Sequence, residues 1–140
     1  MNKKLKITLF LLRVSLGWVF LWAFFDKVWG LGYTTKADDA WLAGGSPTNG
    51  FLMFATKGPF VEFFKSLAGN PLTDILFMLG LLGIGAGLFF GVAMRLSAYS
   101  GALLLALMYL ASAIPPEHNP ILDEHIIYLV TLLALYYAEA

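Results

Sequence analysis

The stretch Ile75–Met94, ILFMLGLLGIGAGLFFGVAM, runs for twenty residues without a single charge. About 20 mostly apolar residues in an α-helix are enough to cross the hydrocarbon core of a bilayer, so this segment by itself predicts a membrane span. Working outward, three more stretches qualify: Ile7–Phe25 before it, then Leu96–Ile114 and Ile121–Ala138 after it. Composition points the same way, with 59% hydrophobic residues against 13% charged and a mean hydropathy of +0.76, far from the mix of a water-soluble domain. The expectation is an all-α, integral membrane four-helix bundle forming one domain over 1–140, with a long outer loop, 29–73, that carries a short amphipathic helix.

Composition also removes function classes. Formal net charge is zero and no basic tract is present, so the electrostatic footprint of a nucleic-acid binder is missing. There is no cysteine, which rules out disulfide exchange, thiolate catalysis, Cys-ligated zinc and iron–sulfur clusters. A redox role would have to use a bound cofactor, a quinone or a partner subunit.

The N-terminal run, MNKKLKITLFLLRVSLGWVFLWAFF, opens like a secretory signal. It has no small-residue cleavage site, is about span length, and is interrupted by Arg13, so it reads as an uncleaved first span. Lys3, Lys4, Lys6 and Arg95 fall on one side of the predicted topology, and Lys27, Lys36, Lys57 and Lys65 on the other, dispersed through the long loop where they weigh less. Both termini are therefore expected in the cytoplasm, with the loop and Pro115–Pro120 outside.

Within the loop, GPFVEFFKSLAGNP (58–71) places Phe60, Phe63, Phe64 and Leu67 at i, i+3, i+4, i+7, with Pro59 suited to a first helical turn. Such a helix lies in the interface plane or packs as a lid on the span ends. The second span carries Gly80, Gly83, Gly87 and Gly91, a small-residue face through which helices approach closely in lipid; Gly101, Ala102 and Ala106 offer a matching strip on the third. The same face makes a homo-oligomer plausible.

Charges inside predicted spans are the candidate functional groups. Arg13 and Lys27 are fourteen residues apart, which brings them to within roughly 40° of one helix face; the alternative is that each snorkels to its nearest headgroup layer. Asn70–Asp74, NPLTD, and Asn119–Asp123, NPILD, share a helix-start grammar in which Asn caps, Pro takes the first turn and Asp meets the helix dipole. Asp123 needs no further account on that reading, because Asp74 does the same. Glu124 and His125 exceed the grammar. With Lys27 and Asp26 expected to end their helix at the same depth, Trp22 and Trp29 flanking them and Tyr128 one turn below Glu124, they outline a polar pocket suited to a quinone headgroup: Glu124 and His125 exchanging protons, Lys27 stabilising negative charge. The rival reading leaves both simply solvated. Haem is disfavoured, since His118 and His125, the two histidines, lie on one side; a mixed histidine–carboxylate metal site has no helical HExxH spacing behind it, and no metal is expected.

RVSLG with Phe20 and Lys27 in the first span, GLFFGVAMRLSA closing the second, NPILDEHIIY opening the fourth, and the loop WLAGGSPTNGFL…GPFVEFFKSLAGNP together resemble the DoxX/DoxD-like membrane proteins. The loop resembles the DoxD-type branch, the small subunit of thiosulfate:quinone oxidoreductase. FFDK (24–27) departs from relatives that often carry a glycine shortly before the lysine. The resemblance implies a multi-pass protein of a prokaryotic plasma membrane that passes electrons from thiosulfate to quinone with a separate subunit, and Arg13, Lys27, Glu124 and His125 are its matching positions. Beside the quinone-linked oxidoreductase subunit stands a non-catalytic alternative, a membrane scaffold or assembly factor holding a soluble redox partner through the loop.

Overall fold

The computed structural model describes residues 2–112 and 121–140. Every regular element among them is helical: α1 (Lys3–Trp29), α2 (Val61–Ser66), α3 (Pro71–Phe90), α4 (Met94–Ser112) and α5 (Glu124–Tyr137), with short helical turns between α1 and α2. Lys3–Trp29, Pro71–Phe90 and Met94–Ser112 are long and apolar enough to cross a membrane. Their outward faces carry Leu12, Val19, Leu76, Leu79, Phe90 and Leu103, where a helix set in water would turn polar residues out. The end of the third predicted span at Ala113–Ile114 and the connection Pro115–Pro120, with His118, lie outside the described residues.

The boundaries follow capping chemistry. Asn70 caps α3, its side chain accepting from Leu72 N at 2.9 Å, and Pro71 takes the first turn, as the grammar of NPLTD predicts. At the other end Gly91, at φ 72°, closes α3 in the left-handed conformation. Val92 and Ala93 then complete a tight turn into α4, which gives the expected antiparallel hairpin. The predicted fourth span needs correction: α5 begins at Glu124, three residues after Ile121, and it is Asp123 that caps it, through its carboxylate and the amide of His125. At 14 residues and 1.5 Å per residue, α5 is about 21 Å long, short of the ~30 Å core.

α1 packs along α3, α3 along α4, and α4 along α5, with α5 also touching α1. The shared core is built from Leu16, Phe20, Met78, Leu88, Leu132 and Leu135 among others. Two ends result. At the turn end lie Arg13, the Gly91–Ala93 turn and the C-terminal end of α5. At the loop end lie the C-terminal end of α1, the N-terminal ends of α3 and α5, and the loop from Gly30 to Asn70.

The glycines divide differently from the predicted single face. A methyl group at Gly17 would come within 2.5 Å of Phe89 N, and one at Gly85 within 2.8 Å of Leu21, so this pair lets α1 and α3 approach closely. Gly87 faces Ser97 of α4, and Gly101 faces Leu132 of α5 and Ile84 of α3. A methyl group at Gly80 or Gly83 would meet nothing within 4 Å, so these two are not part of the packing face. In α2, Pro59 sits in the turn before the helix and Phe60 is its cap. Phe64 alone is buried, against Leu52 and Ala111 of α4, with Leu67 partly buried beside it; Phe60 and Phe63 remain exposed. The lid is real for one edge of the apolar stripe and open for the other.

Candidate functional site

Three aspartates organise the loop end, each at the terminus of a helix. Asp26, in the last turn of α1, is 1% exposed. Its Oδ1 accepts from Tyr33 N at 3.2 Å, and its Oδ2 from Thr34 N at 2.8 Å, Thr34 Oγ1 at 2.8 Å and Thr35 N at 3.1 Å. A buried carboxylate is tolerable only when its lone pairs are satisfied, and residues 33–35 wrap round it to do so. Gly30, at φ 64°, makes the reversal that brings them back, its amide bonding Asp26 O.

Asp74, in the first turn of α3, is buried too. Its Oδ1 accepts from the hydroxyls of Ser46 at 2.7 Å and Thr48 at 2.6 Å. This corrects the reading of Asp74 as helix-start chemistry with nothing around it: the cap is Asn70, and the Asp74 carboxylate anchors the middle of the loop.

Asp123 is the third. Besides capping α5, its Oδ2 lies 2.6 Å from His125 Nδ1. An ionised carboxylate only accepts, so Nδ1–H donates to it and Nε2 is left as the ring nitrogen free to meet a solute. This arrangement fixes ring orientation and tautomer, the role a carboxylate plays beside a catalytic imidazole. His125 is 17% exposed at its side chain and Asp123 13%, open enough to meet a solute. Glu124 is exposed beside them. Tyr109 Oη of α4 donates to Ile121 O, holding the approach to α5 against the preceding helix. Sequence reasoning gave Asp123 only a favourable place on the helix dipole; the signal it missed is the D-x-H spacing, since a cap carboxylate that reaches the N2 amide also reaches the N2 side chain.

The other predicted residues fall into separate places. Trp22 is half-buried and meets Tyr33 edge-on at 5.0 Å and Trp18 at 5.6 Å, so it braces the loop turn that wraps Asp26. Lys27 is half-buried and donates to Thr34 Oγ1 at 3.4 Å, part of the same turn. Tyr128 is 41% exposed, one turn beyond Glu124. No hydrogen bond or ion pair among the described residues joins Lys27 or Trp22 to Glu124 or His125, although both groups lie at the loop end. Arg13 stands at the turn end, its Nη1 donating to Ala140 O at 3.3 Å and its guanidinium over the Phe10 ring at 5.2 Å. With Glu124 at the opposite end of α5, Arg13 cannot share a small ligand with it.

Asp123, Glu124 and His125 hold one imidazole nitrogen and two carboxylate oxygens within 4.8 Å of one another, a donor set able to meet a divalent cation. All three come from consecutive residues, and the Asp123–His125 bond already engages two of the donors. Comparison of the chain with protein-family models, curated proteins and solved structures finds no match in any of the three.

Proposed function

We infer that the chain is a multi-pass subunit of a quinone-linked oxidoreductase, with thiosulfate as the electron source that the DoxD-like resemblance implies. In this reading α1, α3, α4 and α5 form a four-helix bundle across a prokaryotic plasma membrane. Both termini face the cytoplasm and the loop end faces out. The observation that carries the reading is the Asp123–His125 pair at 2.6 Å, beside exposed Glu124, at the polar end of a set of apolar helices. A quinone headgroup entering from the bilayer at that depth would meet an imidazole oriented by Asp123, whose ring in its protonated form donates from Nε2 to a quinone oxygen as electrons arrive from the partner subunit, and the Glu124 carboxylate, which relays protons from water to the site. Trp22 and Lys27 shape the neighbouring turn; Tyr128 lines the approach along α5.

The test is quinone reduction by the purified protein, with and without thiosulfate and candidate partner subunits, comparing Glu124→Gln and His125→Ala with wild type. Loss of about a hundredfold in either variant is the expected size for a missing proton-transfer group. Wild-type rates in both remove these residues from the chemistry.

A scaffold for a soluble redox partner is favoured by a different observation. The loop is pinned to the helices by Asp26 and Asp74, yet it displays Tyr33, Leu42, Phe54 and Phe63 at 60–85% exposure, and ordered apolar residues held out from a fold suit docking. Co-purification from native membranes, with and without residues 59–68, separates the two: a partner lost with that segment while quinone reduction is absent in wild type supports the scaffold.

A further inference from the structure

We propose that the turn end carries a binding site for a zwitterionic phospholipid, formed where α4 and α5 meet, with the phosphate on Arg95 and the ammonium on Glu139 and the faces of three tyrosines. The inference rests on the helices lying in a bilayer and is independent of any redox role at the loop end.

A groove of about 340 Å³ is lined there by Arg95, Tyr99, Tyr136, Tyr137 and Glu139. Tyr99 Oη and Tyr137 Oη lie 2.9 Å apart. The Tyr99 and Tyr136 rings meet edge-on at 5.6 Å, and Tyr136 and Tyr137 meet tilted at 5.4 Å, so hydroxyl contact and ring packing fix the wall of the groove. The side chains of Arg95 and Glu139 make no hydrogen bond or ion pair with another described residue. Among the described residues, the groove therefore presents one cation and one anion, neither held in a hydrogen bond or ion pair, and aromatic faces.

That set selects among headgroups. A phosphate takes charge-assisted bonds from a guanidinium, and an ammonium is drawn to a carboxylate and to tyrosine faces. An anionic headgroup such as phosphoglycerol would satisfy Arg95 and leave Glu139 opposing it. A headgroup bearing both charges satisfies both.

Backbone geometry fixes where Glu139 sits. Its φ is 55°, its amide bonds Tyr136 O at 3.0 Å, and the amide of Ala140 bonds Leu135 O at 3.0 Å. This is the Schellman closure of a helix, whose left-handed position glycine ordinarily fills; here a glutamate holds it and lines the groove, and also borders the neighbouring pocket beside Lys6. Beyond the groove, toward mid-helix, Leu103 on α4 and Val130 on α5 are 62% and 57% exposed. They lie one turn from Tyr99 and two turns from Tyr137 on the same helix faces, an apolar strip for acyl chains that a free headgroup would not use.

The experiment exposes the detergent-purified protein to an equimolar mixture of phosphatidylethanolamine, phosphatidylcholine and phosphatidylglycerol, then weighs retained lipids by native mass spectrometry. Expected is retention of the two zwitterionic lipids over phosphatidylglycerol, the ratio falling about fivefold in Glu139→Gln, as suits loss of one exposed charge contact, and retention of all three falling in Arg95→Gln. Glu139→Gly is expected to melt at a higher temperature, because glycine suits its backbone, while losing the headgroup preference. Retention in the proportions supplied, or a wild-type ratio in Glu139→Gln and Glu139→Gly, overturns the site. Soluble phosphoethanolamine that displaces lipid at equal concentration overturns the lipid assignment. Carbonate extraction of the protein from vesicles separates the premises: stripping sinks the bilayer placement, whereas resistance without lipid preference sinks this inference alone.

Discussion

Thr34 gives both of its donors to one oxygen of Asp26: its amide and its hydroxyl each reach Oδ2 at 2.8 Å. The contacts differ in what they cost to remove. Thr34→Val deletes the hydroxyl bond and keeps the amide, for a loss of about 1 kcal/mol. Asp26→Asn turns an amide donor toward backbone donors in a buried place, for a loss of roughly 2–3 kcal/mol. Thermal unfolding in detergent orders the two, and a milder Asp26→Asn would mean the turn is held by something else.

The glycines give a ranking. Gly17→Ala pushes a methyl against the backbone of Phe89 and Gly85, which can yield only by separating α1 from α3; a loss of about 1–3 kcal/mol is expected. Gly87→Ala meets the Ser97 hydroxyl, which can rotate, and Val92 O, at 3.0 Å, and should fall between. Gly83→Ala meets open space and should be neutral or stabilising by up to about 1 kcal/mol through helix propensity. The same unfolding measurement, on all three variants, checks the order.

Asp123 separates capping from chemistry. Asn caps a helix as well as Asp but does not offer a carboxylate to His125 Nδ1. Asp123→Asn should therefore leave the melting temperature close to wild type and lower quinone reduction by at least about tenfold. Asp123→Ala should lose about 1 kcal/mol of stability as well. Full activity in Asp123→Asn would reduce the 2.6 Å pair to a structural contact.

In α2, Phe64 and Phe63 are neighbours with opposite expectations. Phe64→Ala empties a place filled between Leu52 and Ala111, at about 3 kcal/mol. Phe63→Ala, at a position 60% exposed, should leave stability unchanged and weaken capture of any partner that docks on the loop. Co-purification beside a melting curve tells the two apart.

Helical class and the three long apolar helices were legible because hydrophobic length is a local property, visible in Ile75–Met94 without any partner. What the aspartates hold was not. Asp74 looked like a copy of Asp123 because helix-start chemistry is written within four residues, whereas its Ser46 and Thr48 donors lie 28 and 26 residues away. The repeated NP…D pattern misled in the other direction for α5, whose cap is the last residue of the pattern and not the first. The glycine face held only in part, because α3 has glycines on more than one side: of the predicted set, Gly87 meets Ser97 and Gly91 meets Arg13 while Gly80 and Gly83 meet nothing, and only the position of α1 decides that Gly85, outside the spacing by four, is in contact. Glu124 and His125 stood out by exceeding the local grammar, and the structure adds Asp123 to them.

The two buried carboxylates also bear on the order in which the chain is made. Asp26 meets its donors seven to nine residues later, within moments of its own synthesis. Asp74 meets donors made before it. Neither charge has to wait for a segment made after its own loop partners, so each aspartate can be sheathed by loop residues as soon as its helix is complete.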